Sequence, residues 1–391
     1  MNSWNCIRLG DVCYVNTEAY SEKERWDYVH YLDTGNITKN CIDEIQYIDL
    51  MKEKLPSRAR RKVKYNSILY STVRPNQCHY GIVKEQSSNF LVSTGFSVID
   101  VIDERVDADF LYCYLTMNAV TEKMHAIAEQ STSAYPAIKS SDIEDLELKL
   151  PDILTQKRIA SFLMSLEHKI TNNTKLNKNL EEQAQAIFKE WFIDFSPSSE
   201  DSSLPNGWRI GKADEFLVFH DAKRIPLSTA MRAGMDRIYP YYGATSCMDY
   251  VDDYIFDGIY LLLGEDGTVI DKDGFPILQY IDGKFWVNNH AHVLTGKSGI
   301  SVEWLYLLFS MTKVESIVTG AVQPKISQSN LKKLSLVIPP LSMLAEFDGI
   351  IQPMFRTIRN IRAEIYMLKK LRDTLLPRLM SGELDVSNIE L

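Results

Sequence analysis

Several short groups of residues carry the types and spacing that chemistry uses, and most of them fail on closer reading. GKS at residues 296–298 resembles the end of a phosphate-binding loop, but the glycine required five positions before Gly296 is Ala291. Asp142 with Glu147 and Lys149 resembles the acidic-plus-lysine cluster of restriction-type nucleases, in which carboxylates hold a metal and a lysine positions water. IPPL at residues 338–341 has the paired prolines of amino-methyltransferase sites, but neither an Asn or Asp before them nor an aromatic after. His290 and His292 could ligate a metal from one face of a strand. No third ligand is evident, and an isolated His-x-His is usually strand surface. No catalytic residue and no metal site is assigned.

What remains is nucleic-acid chemistry. KEKLPSRARRKVK (residues 52–64) carries Lys52, Lys54, Arg58, Arg60, Arg61, Lys62 and Lys64 against one acid, Glu53. Such a concentration attracts phosphates, and arginine also reads guanine edges in bidentate fashion. Arg74 follows a predicted strand in STVRPNQ, on a loop suited to a groove. Further on, Lys223, Arg224, Arg232 and Arg237 lead into YPYYGA (residues 239–244), where Tyr241 sits among the aromatics. The bland reading is a solvated charged loop beside a tyrosine-rich core strand. The overall balance leans against nucleic acid, since the net charge is −9 and the pI about 5.4.

The elements that position these residues come from a chain of 391 residues, 45% hydrophobic and 24% charged. Those values point to two or three globular domains and exclude a disordered or fibrous class. No apolar run reaches the ~18–20 residues of a membrane span, and no secretory signal is visible at the start. Six cysteines without a CxxC pair read as free thiols in a reducing cytoplasm.

The sequence is written twice. LELKLP (residues 146–151) corresponds to LSLVIP (residues 334–339), and Pro136, Ile138 and Ile143 correspond to Pro324, Ile326 and Leu331. FLYCYL (residues 110–115) corresponds to WLYLLF (residues 304–309). The duplication also tests the nuclease-like cluster. Its counterparts are Asn330, Ser335 and Val337, which cannot bind a metal, so a structural role for Asp142, Glu147 and Lys149 is expected.

After each copy comes a heptad seam. Steps of four and three from Ile159 reach Trp191, and the same steps from Phe347 reach Leu379; every position is apolar except Asn173, Asn177 and Arg372. A seam of this length predicts a coiled coil of two unbroken helices, each of ~40 residues and ~60 Å, the second running to near Pro377. Buried polar seam residues fix register or orientation, and Arg372 leaves the packing around it open. Two helices separated by a whole globule can pack antiparallel within one chain, giving a pseudo-twofold arrangement.

The expected organisation is a β-rich globule at residues 1–150, a helix at 151–195 and a polar Pro/Ser linker at 196–207. A second β-rich globule follows at 208–338, then a helix at 339–383 and a tail at 384–391. The fold class is α+β: two β-rich globular domains joined by two long helices in an antiparallel intramolecular coiled coil.

This order resembles the specificity subunit of type I restriction–modification enzymes. The likeness rests on QKRIASFL and LNKNLEEQAQAIFKEWF within residues 156–192, and on LKKLRDTLLPRLMSGELDV (residues 368–386). ILYSTVRPN (residues 68–76), LPNGWR (residues 204–209) and YPYYGA extend it over essentially the whole chain. The resemblance implies that each globule is a target-recognition domain reading one half of a bipartite, asymmetric DNA site. It implies that the helices fix the spacer and dock two modification subunits. Those subunits bind S-adenosylmethionine and methylate adenine, while restriction subunits use ATP and Mg. This chain then holds no cofactor and does no chemistry, and its partners supply much of the phosphate-binding surface. The alternatives are a coiled-coil scaffold without DNA specificity and, less favoured, a nuclease or methyltransferase acting alone.

Overall fold

The computed structural model describes residues 4–130, 136–194, 204–320 and 322–386. The chain divides into unit 1, Met1–Asn173 with Glu364–Leu391, and unit 2, Thr174–Ala363.

Unit 1 opens with β1 (Asn5–Arg8), β2 (Cys13–Val15) and β3 (Tyr28–Leu32). A small hairpin of β4 (Ile37–Thr38) and β5 (Cys41–Ile42) precedes β6 (Gln46–Asp49), β7 (Ala59–Arg61), β8 (Ile68–Ser71), β9 (Tyr80–Ile82), β10 (Phe90–Ser93) and β11 (Phe96–Val101). Three helices follow, α1 (Ala108–Leu115), α2 (Asn118–Glu129) and α3 (Ser140–Glu144), then β12 (Glu147–Leu150) and the start of α4 (Ile153–Phe192). One sheet has the order β6-β3-β10-β7 and the other β2-β11-β8-β9. Leu32, Phe90 and Val92 from the first meet Leu69, Phe96 and Val98 from the second in one apolar cluster, the period-two alternation of each strand supplying the inward set.

Unit 2 contains β13 (Arg209–Lys212), β14 (Leu217–Phe219), the short α5 (Thr229–Arg232), β15 (Tyr239–Tyr242), β16 (Cys247–Val251), β17 (Phe256–Gly264), β18 (Leu278–Val287) and β19 (Ala291–Gly296). Then come α6 (Val302–Ser310), α7 (Gln328–Lys333), β20 (Ser335–Ile338) and the first part of α8 (Leu341–Met380). Its main sheet, β14-β19-β17-β18-β15-β16, repeats the plan of unit 1. β14, β19 and β17 take the places of β2, β11 and β8, while the long β18 fills the positions that β9 and β10 share. The parallel pairing of β10 with β3 recurs as that of β18 with β15. Helix caps are repeated too: Asp107 accepts from the Phe110 N–H at 3.0 Å, and Ser301 from the Trp304 N–H at 3.1 Å. In both units the first strand closes on the last before the long helix, β1 on β12 and β13 on β20.

The long helices pack antiparallel in each unit. In unit 1, Ile159 and Leu163 share a core with Leu379 and Met380. Asn173 donates to Glu364 at 2.8 Å, and Lys169 lies 3.4 Å from the same carboxylate. In unit 2, the rings of Phe188 and Phe192 near the end of α4 stand 5.7 and 4.8 Å from Phe347 near the start of α8. Phe347, Ile351 and Phe355 are essentially inaccessible; truncating a buried phenylalanine of this kind costs about 3–5 kcal/mol. The open question at Arg372 is resolved by an ion pair: its guanidinium donates to Glu167 at 2.7 Å and to neighbouring Asp373, so charge is neutralised inside the seam. Gly349 and Pro353 lie within α8, which continues through both. Residues 196–203 of the expected linker and 387–391 of the expected tail lie outside the described residues. Val386 is buried against the unit 1 core.

Candidate nucleic-acid interface

The basic stretch of unit 1 is a turn followed by β7, at one edge of its sheet. Its charge is less free than the sequence implied. Lys52 lies 2.7 Å from Asp49, Lys62 2.5 Å from Glu24, Lys64 3.0 Å from Glu18 and Arg60 3.9 Å from Glu22. The Lys62 bond holds the Glu24 carboxyl below its ordinary value. Arg61 is half-buried, donates to the Thr94 carbonyl at 3.2 Å, and is lowered by burial. Lys54 and Arg58 are exposed and enter no ion pair among the described residues. The signal for these partners was in the sequence, as Glu18, Glu22 and Glu24 some forty residues upstream, but only the fold assigns them. Exposed pairs of this sort are worth at most about 1 kcal/mol, so a phosphate competes readily for the cations. Arg74 is exposed, with left-handed backbone (φ 47°) at the start of the turn after β8. Its amide donates to the Pro136 carbonyl at 3.0 Å, fixing where the side chain leaves the surface.

Unit 2 holds three of the five residues expected to meet DNA there in internal contacts. Tyr241 is 1% exposed, and its hydroxyl accepts from the Leu227 amide at 3.0 Å. It is core, because the strand alternation turns it inward. Arg232 lies 4.8 Å over the Tyr241 ring, pairs with Asp249 at 3.0 Å and donates to the Leu227 carbonyl. Arg224 donates to Glu265 and to the Ala291 carbonyl, both at 2.7 Å. Buried guanidiniums with every nearby acceptor engaged do not leave for a phosphate. Lys223 is exposed. Arg237 is also exposed, although paired with Asp249 at 2.7 Å. Held by both arginines, Asp249 sits well below the ordinary carboxylate range.

Of the two histidines, His290 is at the surface as expected and His292 is not. His290 precedes β19 and contacts Asp266. His292 is fully buried, with Nδ1 2.6 Å from Asp221 and Nε2 donating to the Ile326 carbonyl at 2.8 Å. Asp221, Glu265 and His292 offer ligand atoms within 4.8 Å of one another, a group of three that sequence spacing concealed and that does not include His290. Arg224 already lies between the two acids, and Lys325 is 3.2 Å from Glu265. The arrangement is thus an internally neutralised network tying α7 and β19 to the β14–α5 connection. Burial pushes Asp221 up, but hydrogen bonds from His292, the Val293 amide and Gln328 outweigh it and leave the carboxyl lowered. The nuclease-like group is structural in its geometry: Asp142 accepts from the Lys139 amide at 2.7 Å, and Glu147 and Lys149 lie on the exposed face of β12. No helix among the described residues is long and apolar enough to cross a membrane.

Known proteins share this architecture. The chain is 25% identical to the type I restriction enzyme HindI specificity subunit of Haemophilus influenzae, over 98% of this chain and 100% of that one. It is 23% identical to the MjaIX specificity subunit of Methanocaldococcus jannaschii, over 97% and 93% respectively. The crystal structure of a type I restriction–modification S subunit from M. genitalium aligns with a TM-score of 0.57 at 16% identity over 97% of each chain, a likeness of fold. Residues 1–182 and 205–365 match the type I restriction modification DNA specificity domain. With the duplicated globules and the paired helices, this coverage means that the chain belongs to the type I restriction–modification DNA specificity family, the non-catalytic specificity subunits of those enzymes.

Proposed function

We propose that this specificity subunit reads a bipartite, asymmetric DNA site, one half through each globule, while α4 and α8 set the spacer. The observation that carries the reading is the recurrence of one strand order in both units, each set of strands followed in the chain by a helix of 40 residues. Duplicated readers on a continuous helical pair suit two half-sites at a fixed interval. In this reading two modification subunits dock on the helical regions and bring S-adenosylmethionine; restriction subunits bring ATP and Mg. DNA contacts in unit 1 come from Lys54, Arg58 and Arg74, with Lys52, Arg60, Lys62 and Lys64 released from their surface acids, and in unit 2 from Lys223 and Arg237. Arg61 steadies β7 instead. A scaffold without DNA specificity has no support in these relationships.

Exchanging residues 208–338 for the same region of another specificity subunit tests the division of labour. Long-read mapping of methylated adenines in the host should show one half of the site changed, with the other half and the spacer retained. A change in both halves would refute independent readout.

A further inference from the structure

Unit 1 carries an aromatic cluster on the outer face of β3 and β6. β3 pairs antiparallel with the edge strand β6 on one side and parallel with β10 on the other. β15 has the same relation to the edge strand β16 and to β18. Both β3 and β15 begin with a tyrosine, but Tyr239 shares the face of buried Tyr241 and packs against the unit 2 core, whereas Tyr28 does not face its core. In unit 1, alternation turns Val29 and Ile48 into the core and leaves Tyr28, His30 and Tyr47 on the opposite face. The Tyr28 and Tyr47 rings stack with centroids 5.6 Å apart, and His30 meets each edge-on at 5.5 Å. Tyr47 is 60% exposed. In unit 2 the Tyr239 and Tyr254 rings are 5.0 Å apart, and the exposed Lys284 ammonium stands 4.4 Å from the centre of the Tyr254 ring.

The unit 1 cluster is not needed to fill a core, since the inner face of β3 and β6 is already covered by Val29, Tyr31 and Ile48. It combines rigid apolar surface with a cation at its margin. That cation is Lys52, 2.7 Å from Asp49, which is the cross-strand partner of Tyr28. Duplex DNA presents the complementary pattern, with sugar faces and thymine methyls flanked by phosphates. We propose that the Tyr28–Tyr47 cluster is a DNA contact surface, packing on base edges and deoxyribose of the half-site that unit 1 reads. The proposal rests on the bipartite reading above.

The test uses the full chain assembled with its modification subunits. Tyr28→Val with Tyr47→Val removes both rings while keeping strand-forming residues. Affinity for the mapped target duplex should fall about tenfold or more. The slope of log affinity against log salt should stay unchanged, because no phosphate contact is lost. Relaxed sequence preference should appear in one half-site only, and Tyr47→Phe should bind within twofold of the parent. Unchanged affinity and motif in the folded valine variant would overturn the proposal. Should the valine variant not fold, nitration of the parent chain decides: the target duplex should protect Tyr47, and absence of protection overturns the contact. A parent complex that binds no duplex sequence-specifically sinks the underlying reading, and this proposal with it.

Discussion

Replacing Arg359 with methionine takes the cation out of a buried cluster in unit 2 and leaves its acid behind. Glu303 on α6 is 3% exposed, and its carboxylate accepts from Arg359 at 2.8 Å, from the Tyr280 hydroxyl at 2.6 Å and from Gln352 at 2.8 Å. These bonds tie α6 and β18 to α8. Removing one partner of a buried pair costs about 3–5 kcal/mol, chiefly because the remaining charge is uncompensated. Removing both charges, with Glu303→Leu added, leaves the Tyr280 hydroxyl without its acceptor, about 1–2 kcal/mol, while Gln352 keeps its hydrogen bond to Asp348. In a unit of this size 1 kcal/mol moves the melting midpoint by roughly 2–4 °C. The single variant should therefore melt about 6–20 °C lower and the double only about 2–8 °C lower. Trp191, Trp208, Trp286 and Trp304 all belong to unit 2, so tryptophan fluorescence during thermal and urea unfolding reports mainly on it. A single variant that costs under about 1 kcal/mol, or a double as damaged as the single, would show that the cluster is not held by charge compensation.

Two further outcomes follow from the same geometry. Lys54→Ala and Arg58→Ala, the exposed basic residues of the stretch that enter no ion pair among the described residues, should each lower the salt slope of DNA binding by about 0.9; slopes equal to the parent's would make that turn a solvated surface. Asp221 is held below its ordinary value of 3.8, so its contribution is complete above that pH and is lost as pH falls through the lowered value. The stability advantage of the parent over Asp221→Asn, measured by melting temperature, should accordingly shrink as the medium is taken below about pH 4, and an advantage that grew with acid would contradict the ionised assignment.

The long-period features were legible in the sequence because each is local or repeated. The heptad steps from Ile159 and Phe347 mark the helices, and the paired FLYCYL and WLYLLF segments became α1 and α6. Charge partners were not legible. The acids that neutralise residues 52–64 come from upstream turns, and Asp221 meets His292 across 71 positions. Tyr241 looked exposed because YPYY suggests a surface aromatic run, whereas alternation hides only that ring fully. The Tyr28–Tyr47 pair escaped for the converse reason: the two become neighbours only through strand pairing, and neither stands in a basic context. Arg372 looked like a flaw until Glu167 supplied its partner from the facing helix.

The ladders that close β1 on β12 and β13 on β20 carry a consequence for how such a chain can change over generations. Asn5 faces Leu150 and Arg8 faces Glu147; Arg209 faces Ile338 and Lys212 faces Ser335. Entry to and exit from each globule are therefore clasped side by side at the root of a helix. Lengthening or shortening a loop beyond the clasp costs little closure entropy, growing only with the logarithm of its length. Everything between the clasped strands can drift, recombine or be traded as a cassette while the stem keeps its register, so new preferences can arise without rebuilding the frame that carries them.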